Sequence, residues 1–241
     1  MRTGLTVKSP KITRAGRKKS RGEDAKTGRI IMIESEIKVS LEGIDMDKLI
    51  GRITRFGFTH KEKKREIDIY YNGAGERDFR QTDEALRIRK VEMLGAEAQD
   101  SAADEDRSFI TYKGPKMDAE TMTRLELQTG VDDGDTADAI VKALGFSPVF
   151  TVDKTRDEYW NRDLLKDPEL SRNWNPVTKH AVTLCIDDVR GLGTFLEIEI
   201  MLKDAKGAGA AKANLHQLMD VLQLPQDKAT AVSYLEQLMA R

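Results

Sequence analysis

Charged residues recur at every second position through one predicted strand after another, and no other feature restricts the fold of this chain so sharply. In a strand, residues two apart share a face. Glu34, Glu36 and Lys38 therefore lie together, opposite Ile33, Ile37 and Val39. Arg87 and Arg89 oppose Leu86 and Ile88, Lys113 opposes Ile110 and Tyr112, and Arg124 and Glu126 oppose Leu125 and Leu127. Lys154 and Arg156 share a face, Asp187 follows Ile186, and Glu197 and Glu199 oppose Leu196, Ile198 and Ile200. A single such strand reads most simply as half of an antiparallel sheet with its charged face in water. The whole set weakens that reading. A solvated face mixes Thr, Ser, Gln and Lys, whereas here almost every position carries a full charge. The alternative closes the sheet into a barrel with the charged face inward. Each unpaired buried ion would cost several kcal/mol, so such an interior must be hydrated and able to hold an ionic ligand.

The remaining pattern supplies the strands for such a barrel. Ile30–Leu41, Glu66–Asn72, Ala85–Val91, Ser108–Lys113, Thr123–Val131, Val149–Trp160, Ala181–Val189 and Thr194–Leu202 read as eight strands. Helices are expected over Ile44–Phe56, Thr136–Leu144 (stopped by Gly145), Ala205–Leu222 and Lys228–Met239. Few helices separate the strands, which points to an α+β class with mostly antiparallel pairing and not to a doubly wound sheet. The predicted architecture is an eight-stranded antiparallel closed β-barrel with flanking helices. The stripe Leu215, Leu218, Met219 and Leu222 is expected to pack on the barrel exterior. Part of that helical surface also suits a homodimer contact.

Charge is divided unevenly along the chain. Lys and Arg total 40 and Asp and Glu 41, but residues 1–29 carry ten basic side chains against Glu23 and Asp24 alone. The rest of the chain holds the other 30 basic and 39 acidic residues. We therefore expect 1–29 to be a disordered basic tail and 30–241 the folded domain. The tail reads as a solvated extension, a weak polyanion-binding arm or a targeting peptide. It lacks the apolar stretch of a secretory signal. An acidic loop at 94–107 and an excursion at 161–178, which contains Trp174, interrupt the barrel. No apolar run is long enough to span a bilayer as a helix, and the balanced net charge of −1 implies no specific nucleic-acid partner. One cysteine, Cys185, excludes a disulfide framework and a cysteine zinc site and suits a cytoplasmic protein. Cys185 is expected to be a packed small side chain. The three histidines are scattered, which leaves carboxylates as the metal-binding groups.

Cations and acids on one inward face suggest one kind of ligand. Lys38, Arg87, Arg89, Lys113, Arg124, Lys154 and Arg156 suit a polyanion, because guanidinium forks match phosphate oxygens and ammonium groups add point charge. Glu34, Glu36, Glu126, Asp187, Glu197 and Glu199 would repel bare phosphate. They make sense if they hold Mg²⁺ or Mn²⁺, hard cations that bridge carboxylate and phosphate oxygens.

The same residues carry a family resemblance. Glu34-Ser35-Glu36-Ile37-Lys38 resembles the ExExK signature of the CYTH, or triphosphate tunnel metalloenzyme, superfamily. IDIYYN (67–72), RDFRQTDEALRIRK (77–90), TYKGPK (111–116), TRLELQ (123–128), GFSPVFTVDKTRDEY (145–159), CIDDVRGLGTFLEIEI (185–200) and SYLEQLM (233–239) extend it in order, and most resemble the class IV adenylyl cyclase branch. The resemblance implies a tunnel domain over 30–241 that processes a nucleoside triphosphate or another triphosphate with Mg²⁺ or Mn²⁺. It implies metal binding by Glu34, Glu36, Glu126, Glu197 and Glu199, with Asp187 a further acid, and phosphate binding by the seven bases named above. Glu34, Glu36, Lys38 and Lys113 are the expected catalytic group. The implied activity is conversion of ATP to cyclic AMP and pyrophosphate, with metal activation of the 3′-hydroxyl, because no histidine is placed as a base. Hydrolysis of inorganic or thiamine triphosphate, and non-catalytic binding of a nucleotide or polyphosphate, remain the alternatives, since they need the same residues.

Overall fold

The computed structural model describes residues 32–73, 75–95, 107–161 and 181–241. The basic tail, most of the acidic loop and most of the 161–178 excursion lie outside the described residues. Eight long strands are formed: β1 (Met32–Ser40), β2 (Thr59–Asn72), β3 (Ala85–Leu94), β4 (Arg107–Lys113), β5 (Arg124–Val131), β6 (Ser147–Trp160), β7 (Val182–Val189) and β8 (Gly193–Leu202). They pair antiparallel in the order β5-β4-β3-β2-β6-β7-β8-β1, and β1 closes the ring on β5. The closing register sets Ile33 against Leu125 and Glu34 against Arg124. This is the α+β closed eight-stranded antiparallel barrel with flanking helices that the alternation implies.

Period two divides each strand between two environments. Outward-facing Ile37, Val39, Leu184, Leu196, Ile198 and Ile200 join Leu49 and Ile53 of helix α1 (Met46–Arg55) in the main core. The stripe Leu215, Leu218, Met219 and Leu222 completes that core from helix α4 (Ala208–Val221) and the residue that follows it. Ala137 and Val141 of helix α3 (Gly134–Ala143) cover Ile88 and Tyr71 on the opposite wall. Burying one such side chain stabilises the fold by about 1.5–3 kcal/mol. Two of these helices start where a carboxylate can accept an orphan amide. Asp45 takes the Lys48 N–H at 3.1 Å, and Asp133 takes that of Thr136 at 2.6 Å. Apolar burial on the outside thus holds the barrel and leaves the inner face available for charge.

Three expected elements differ. Strand β2 begins at Thr59, seven residues before the expected start at Glu66. The run THKEKKR has no apolar alternation to mark it, and its pairing with β6 makes it a strand, with Lys64 opposite Arg156. The helix expected from Ala205 opens with a 3-10 turn, Ala205–Gly207, before α4. The single helix expected over Lys228–Met239 is broken into a 3-10 turn (Gln226–Lys228), a short strand β9 (Ala229–Thr230) and helix α5 (Tyr234–Met239). Strand β5 meets β1 only as far as Glu34. Beyond that point the Met122 N–H donates to the Glu36 carbonyl at 2.9 Å, and β9 pairs with Lys38 and Val39. An uncovered β1 edge would leave backbone groups unsatisfied. A short helix α2 (Phe79–Thr82) lies between β2 and β3. No helix among the described residues is long and apolar enough to cross a membrane.

Candidate active site

The inward faces of the strands enclose a cavity of about 570 Å³. Its lining carries nine basic and eleven acidic side chains, rim residues included. Lys38, Arg87, Arg89, Lys113, Arg124, Lys154 and Arg156 all line it, as do Glu34, Glu36, Glu126, Glu197 and Glu199. Asp187 sits behind the lining, fully buried. Charges scattered from Glu34 to Glu199 along the sequence are therefore gathered into one chamber.

On the wall built by β1, β8 and β5, carboxylates crowd together. One oxygen from each of Glu34, Glu36 and Glu199 lies within 4.8 Å of the others. Burial, followed by the charge of Glu126, raises the Glu34 carboxyl above its ordinary value. Burial raises Glu199 well above it, and Glu197, Glu34 and Glu36 add to the effect against Arg156. Three hard oxygens this close together are the donor set that a divalent cation such as Mg²⁺ or Mn²⁺ accepts. The residues present fit such an ion. Each acid also touches a different base: Glu34 meets Lys113, Glu36 meets Lys38, and Glu199 meets Arg156 at 3.3 Å. A cation held by the trio would thus adjoin three of the candidate phosphate-binding residues.

The other expected metal ligands are occupied by bases. Glu126 lies 2.9 Å from Lys113, which outweighs the upward push of burial and holds its carboxyl down at about 2. Glu197 meets Lys38 at 3.0 Å and also contacts Arg156. Asp187 receives both Arg156 Nε and Nη2 at 2.7 Å, Lys154 at 3.0 Å and the Tyr234 hydroxyl at 3.1 Å. The structure therefore brings Glu34, Glu36 and Glu199 together and leaves Glu126, Asp187 and Glu197 in ion pairs.

The wall built by β2, β3 and β6 is a dense ion-pair network, in which Glu66 Oε2 and Arg87 Nε keep no hydrogen-bond partner among the described residues. Asp68 accepts Arg89 through two bonds of 2.6 and 2.7 Å, and Arg87 at 3.3 Å. Glu66 lies 2.8 Å from Arg89 and 3.4 Å from Lys154. Against the upward push of burial, Arg89 and Arg156 hold Glu66 well below the ordinary value, and Arg89 and Arg87 lower Asp68. Lys64 and Lys61 each reach Glu158 at 2.7 Å, and they hold it at about 2 although burial pushes it up. Glu66, Asp68, Lys64 and Glu158 were not among the expected site residues. The alternation Lys64-x-Glu66-x-Asp68 is the available signal: Lys64 alone precedes the expected start of the strand, whereas Glu66, Asp68 and Glu158 fall inside expected strands.

Two bases retain unused donors. Arg87 Nε and Arg124 Nε are buried with no hydrogen-bond partner among the described residues. Arg124 is 4% exposed, and its ion pair with Asp83 at the rim spans 4.0 Å. A buried donor without an acceptor is costly, and an anionic ligand oxygen would relieve it. Cys185 is buried with its sulfur 3.9 Å from Glu199, and burial pushes its thiol well up, which suits the packing role expected of it.

Comparison with known proteins identifies the family. The CYTH domain family model matches residues 32–234. The Methanocaldococcus jannaschii protein named "Putative adenylate cyclase MJ0240" is 35% identical over 206 residues, covering 85% of this chain and 98% of that protein. The solved structure of the PH1819 protein from Pyrococcus horikoshii is 33% identical with a TM-score of 0.66, covering 86% of this chain and 98% of the other. A Vibrio parahaemolyticus structure titled a "putative adenylate cyclase" has a TM-score of 0.64 at 18% identity, covering 86% and 98%. That last likeness speaks for the fold alone.

Proposed function

Since this chain belongs to the CYTH domain family, we propose that it is a metal-dependent triphosphate-processing enzyme whose substrate is ATP and whose products are cyclic AMP and pyrophosphate. The observation that carries the triphosphate reading is the pairing, inside one cavity, of a crowded acid trio with buried guanidinium donors that lack acceptors. A lining with more acids than bases disfavours a bare polyanion, and favours one that arrives with a divalent cation. The name carried by the M. jannaschii relative supports the choice of ATP.

The chain's own residues would do the following. Arg124, Arg87 and Lys113 hold phosphate oxygens from one side of the bore, and Lys38, Lys154 and Arg156 from the other. Glu34, Glu36 and Glu199 hold the divalent cation, Mg²⁺ or Mn²⁺, which supplies neutralisation of phosphate charge and acidification of a bound hydroxyl. Positioning and fixed charge contribute most of the rate, as in other phosphoryl transfers. The 3′-hydroxyl would give up its proton to solvent as its oxygen bonds to the α-phosphorus, the bond from the α-phosphorus to the bridging oxygen breaks, and pyrophosphate leaves. We extend the proposal to organisation, with 30–241 as the tunnel domain and 1–29 as a basic arm outside it.

The test incubates purified protein with ATP and with tripolyphosphate, each with Mg²⁺ and with Mn²⁺. Cyclic AMP plus pyrophosphate from ATP is the expected result. Release of inorganic phosphate would replace the cyclase with a triphosphatase, and tight binding without products would make this a binding module.

A further inference from the structure

The C-terminal segment SYLEQLM resembles the family's ending, but nothing in the expected chemistry uses it. In the structure it sends Tyr234 into the bore. Tyr234 is 6% exposed and is the first residue of α5. Its ring lies 5.1 Å from Lys38 Nζ and 5.2 Å from Lys154 Nζ. Its hydroxyl donates to Asp187 Oδ2 at 3.1 Å, the same oxygen that Lys154 meets at 3.0 Å. Ser233 fixes the start of the helix through a reciprocal cap with Glu236, and Glu236 also holds Lys116 of the β4–β5 connection at 2.9 Å.

We propose that Tyr234 is a positioning residue for the triphosphate: to the Lys38 and Lys154 ammonium groups, already paired with Glu36, Glu197, Asp187 and Glu66, its ring adds a contact that steadies them without cancelling more of their charge. The inference rests on the triphosphate reading of the cavity. Its physical basis is the difference between an aromatic face and a carboxylate. A carboxylate binds an ammonium by cancelling its charge and competes directly with phosphate. A ring face attracts the ammonium through its quadrupole and cancels none of the charge that the carboxylates leave for an incoming anion. Both ammonium groups meet the same ring, so one side chain acts on the position of each. The Asp187 bond locks the ring's orientation and links it to Arg156. The mouth helix α5 is thereby tied to the phosphate site through one side chain.

The experiment compares the full chain with Tyr234→Phe, Tyr234→Leu and a series of increasingly fluorinated phenylalanines at position 234. The fluorinated rings keep the shape and weaken the face stepwise, so they test the contact where Tyr234→Leu fails to fold. Tripolyphosphate affinity with Mg²⁺ is measured by calorimetry. Lys38 and Lys154 acylation rates are measured by mass spectrometry without any ligand. We expect Tyr234→Phe to stay within about threefold of the parent and the most fluorinated ring to lose about tenfold in affinity. Acylation of both lysines should rise across the same series. Affinity and acylation that stay flat across the series would overturn the proposal. If the parent protein does not bind tripolyphosphate, the triphosphate reading fails, and the acylation series still decides whether the ring positions the lysines.

Discussion

Two walls of one bore, built from the same kinds of side chain, differ in how far their bases offset burial. On the β2–β3–β6 wall every carboxylate has a base within reach, and Glu66, Asp68 and Glu158 are all held below their ordinary values. On the β1–β8 wall the acids also meet bases, and Glu197 is held well below its ordinary value, but burial and neighbouring acids raise Glu34 and Glu199. Both walls are almost equally hidden from solvent: Asp68 is 2% exposed and Glu36 3%. Burial by itself therefore does not separate a scaffold from a site. The denser network braces its strands, and the wall whose acids are raised is the one with a reason to bind a cation. A buried ion pair is weak evidence of stability while intact, but losing one partner is strongly destabilising.

The contrast can be broken most severely at Asp68. Replacing it with Ala leaves the buried Arg87 without its carboxylate and Arg89 with Glu66 alone, and should cost about 3–5 kcal/mol in urea unfolding. A loss below about 1 kcal/mol would show that the network is not what braces this wall. On the other wall, Glu36→Ala should leave a folded barrel and abolish metal-dependent turnover, together with the rise in Tm that Mg²⁺ or Mn²⁺ gives the parent protein. A variant that kept both would remove Glu36 from the cation site. Arg124→Ala should weaken tripolyphosphate binding by about 10–100-fold, the range for a lost charge-assisted hydrogen bond. Calorimetry checks this, and an unchanged affinity would mean that Arg124 does not meet phosphate. Arg89 is already tied by two bonds to Asp68, so Arg89→Ala should be read out mainly as lost stability.

The smallest expected effect concerns pH, and its sign differs between the walls. A glutamate whose folded value is raised contributes stability fully present below the ordinary value of about 4.5 and lost as pH rises through the folded value. Glu199 is such a group when no divalent cation is present. With a chelator, Glu199→Gln should therefore flatten the fall of Tm above pH about 4.5. Glu158 is lowered to about 2, so its contribution is present above about 4.5 and lost as pH falls towards 2. Glu158→Gln should accordingly flatten the acid side of the same curve. Identical pH profiles for the two variants would mean that the walls do not differ as described.

Much of this architecture was legible before any coordinates, for a simple reason. A period of two is a local property, so Glu34-x-Glu36-x-Lys38 and Glu197-x-Glu199 reveal their shared faces without knowledge of their partners. The apolar stripe of α4 was legible on the same grounds. Strand β2 was half missed because Thr59–Arg65 carries no apolar alternation, and its extended form comes from pairing with β6. The C-terminal helix was overextended because helical propensity is local, whereas the bare edge of β1 that captures Ala229 and Thr230 is not.

By itself the sequence determined that two faces of opposite character exist and that the charged one needs either water or an enclosed ionic ligand. Only the tertiary structure decided which charges meet. Closure of β1 on β5 and the register between β1 and β8 bring Glu34 and Glu36 to Glu199, while the register of β2 against β3 sets Asp68 opposite Arg89. Coulomb energy depends on distance in space and on burial, and neither is written in the spacing of residues along a chain.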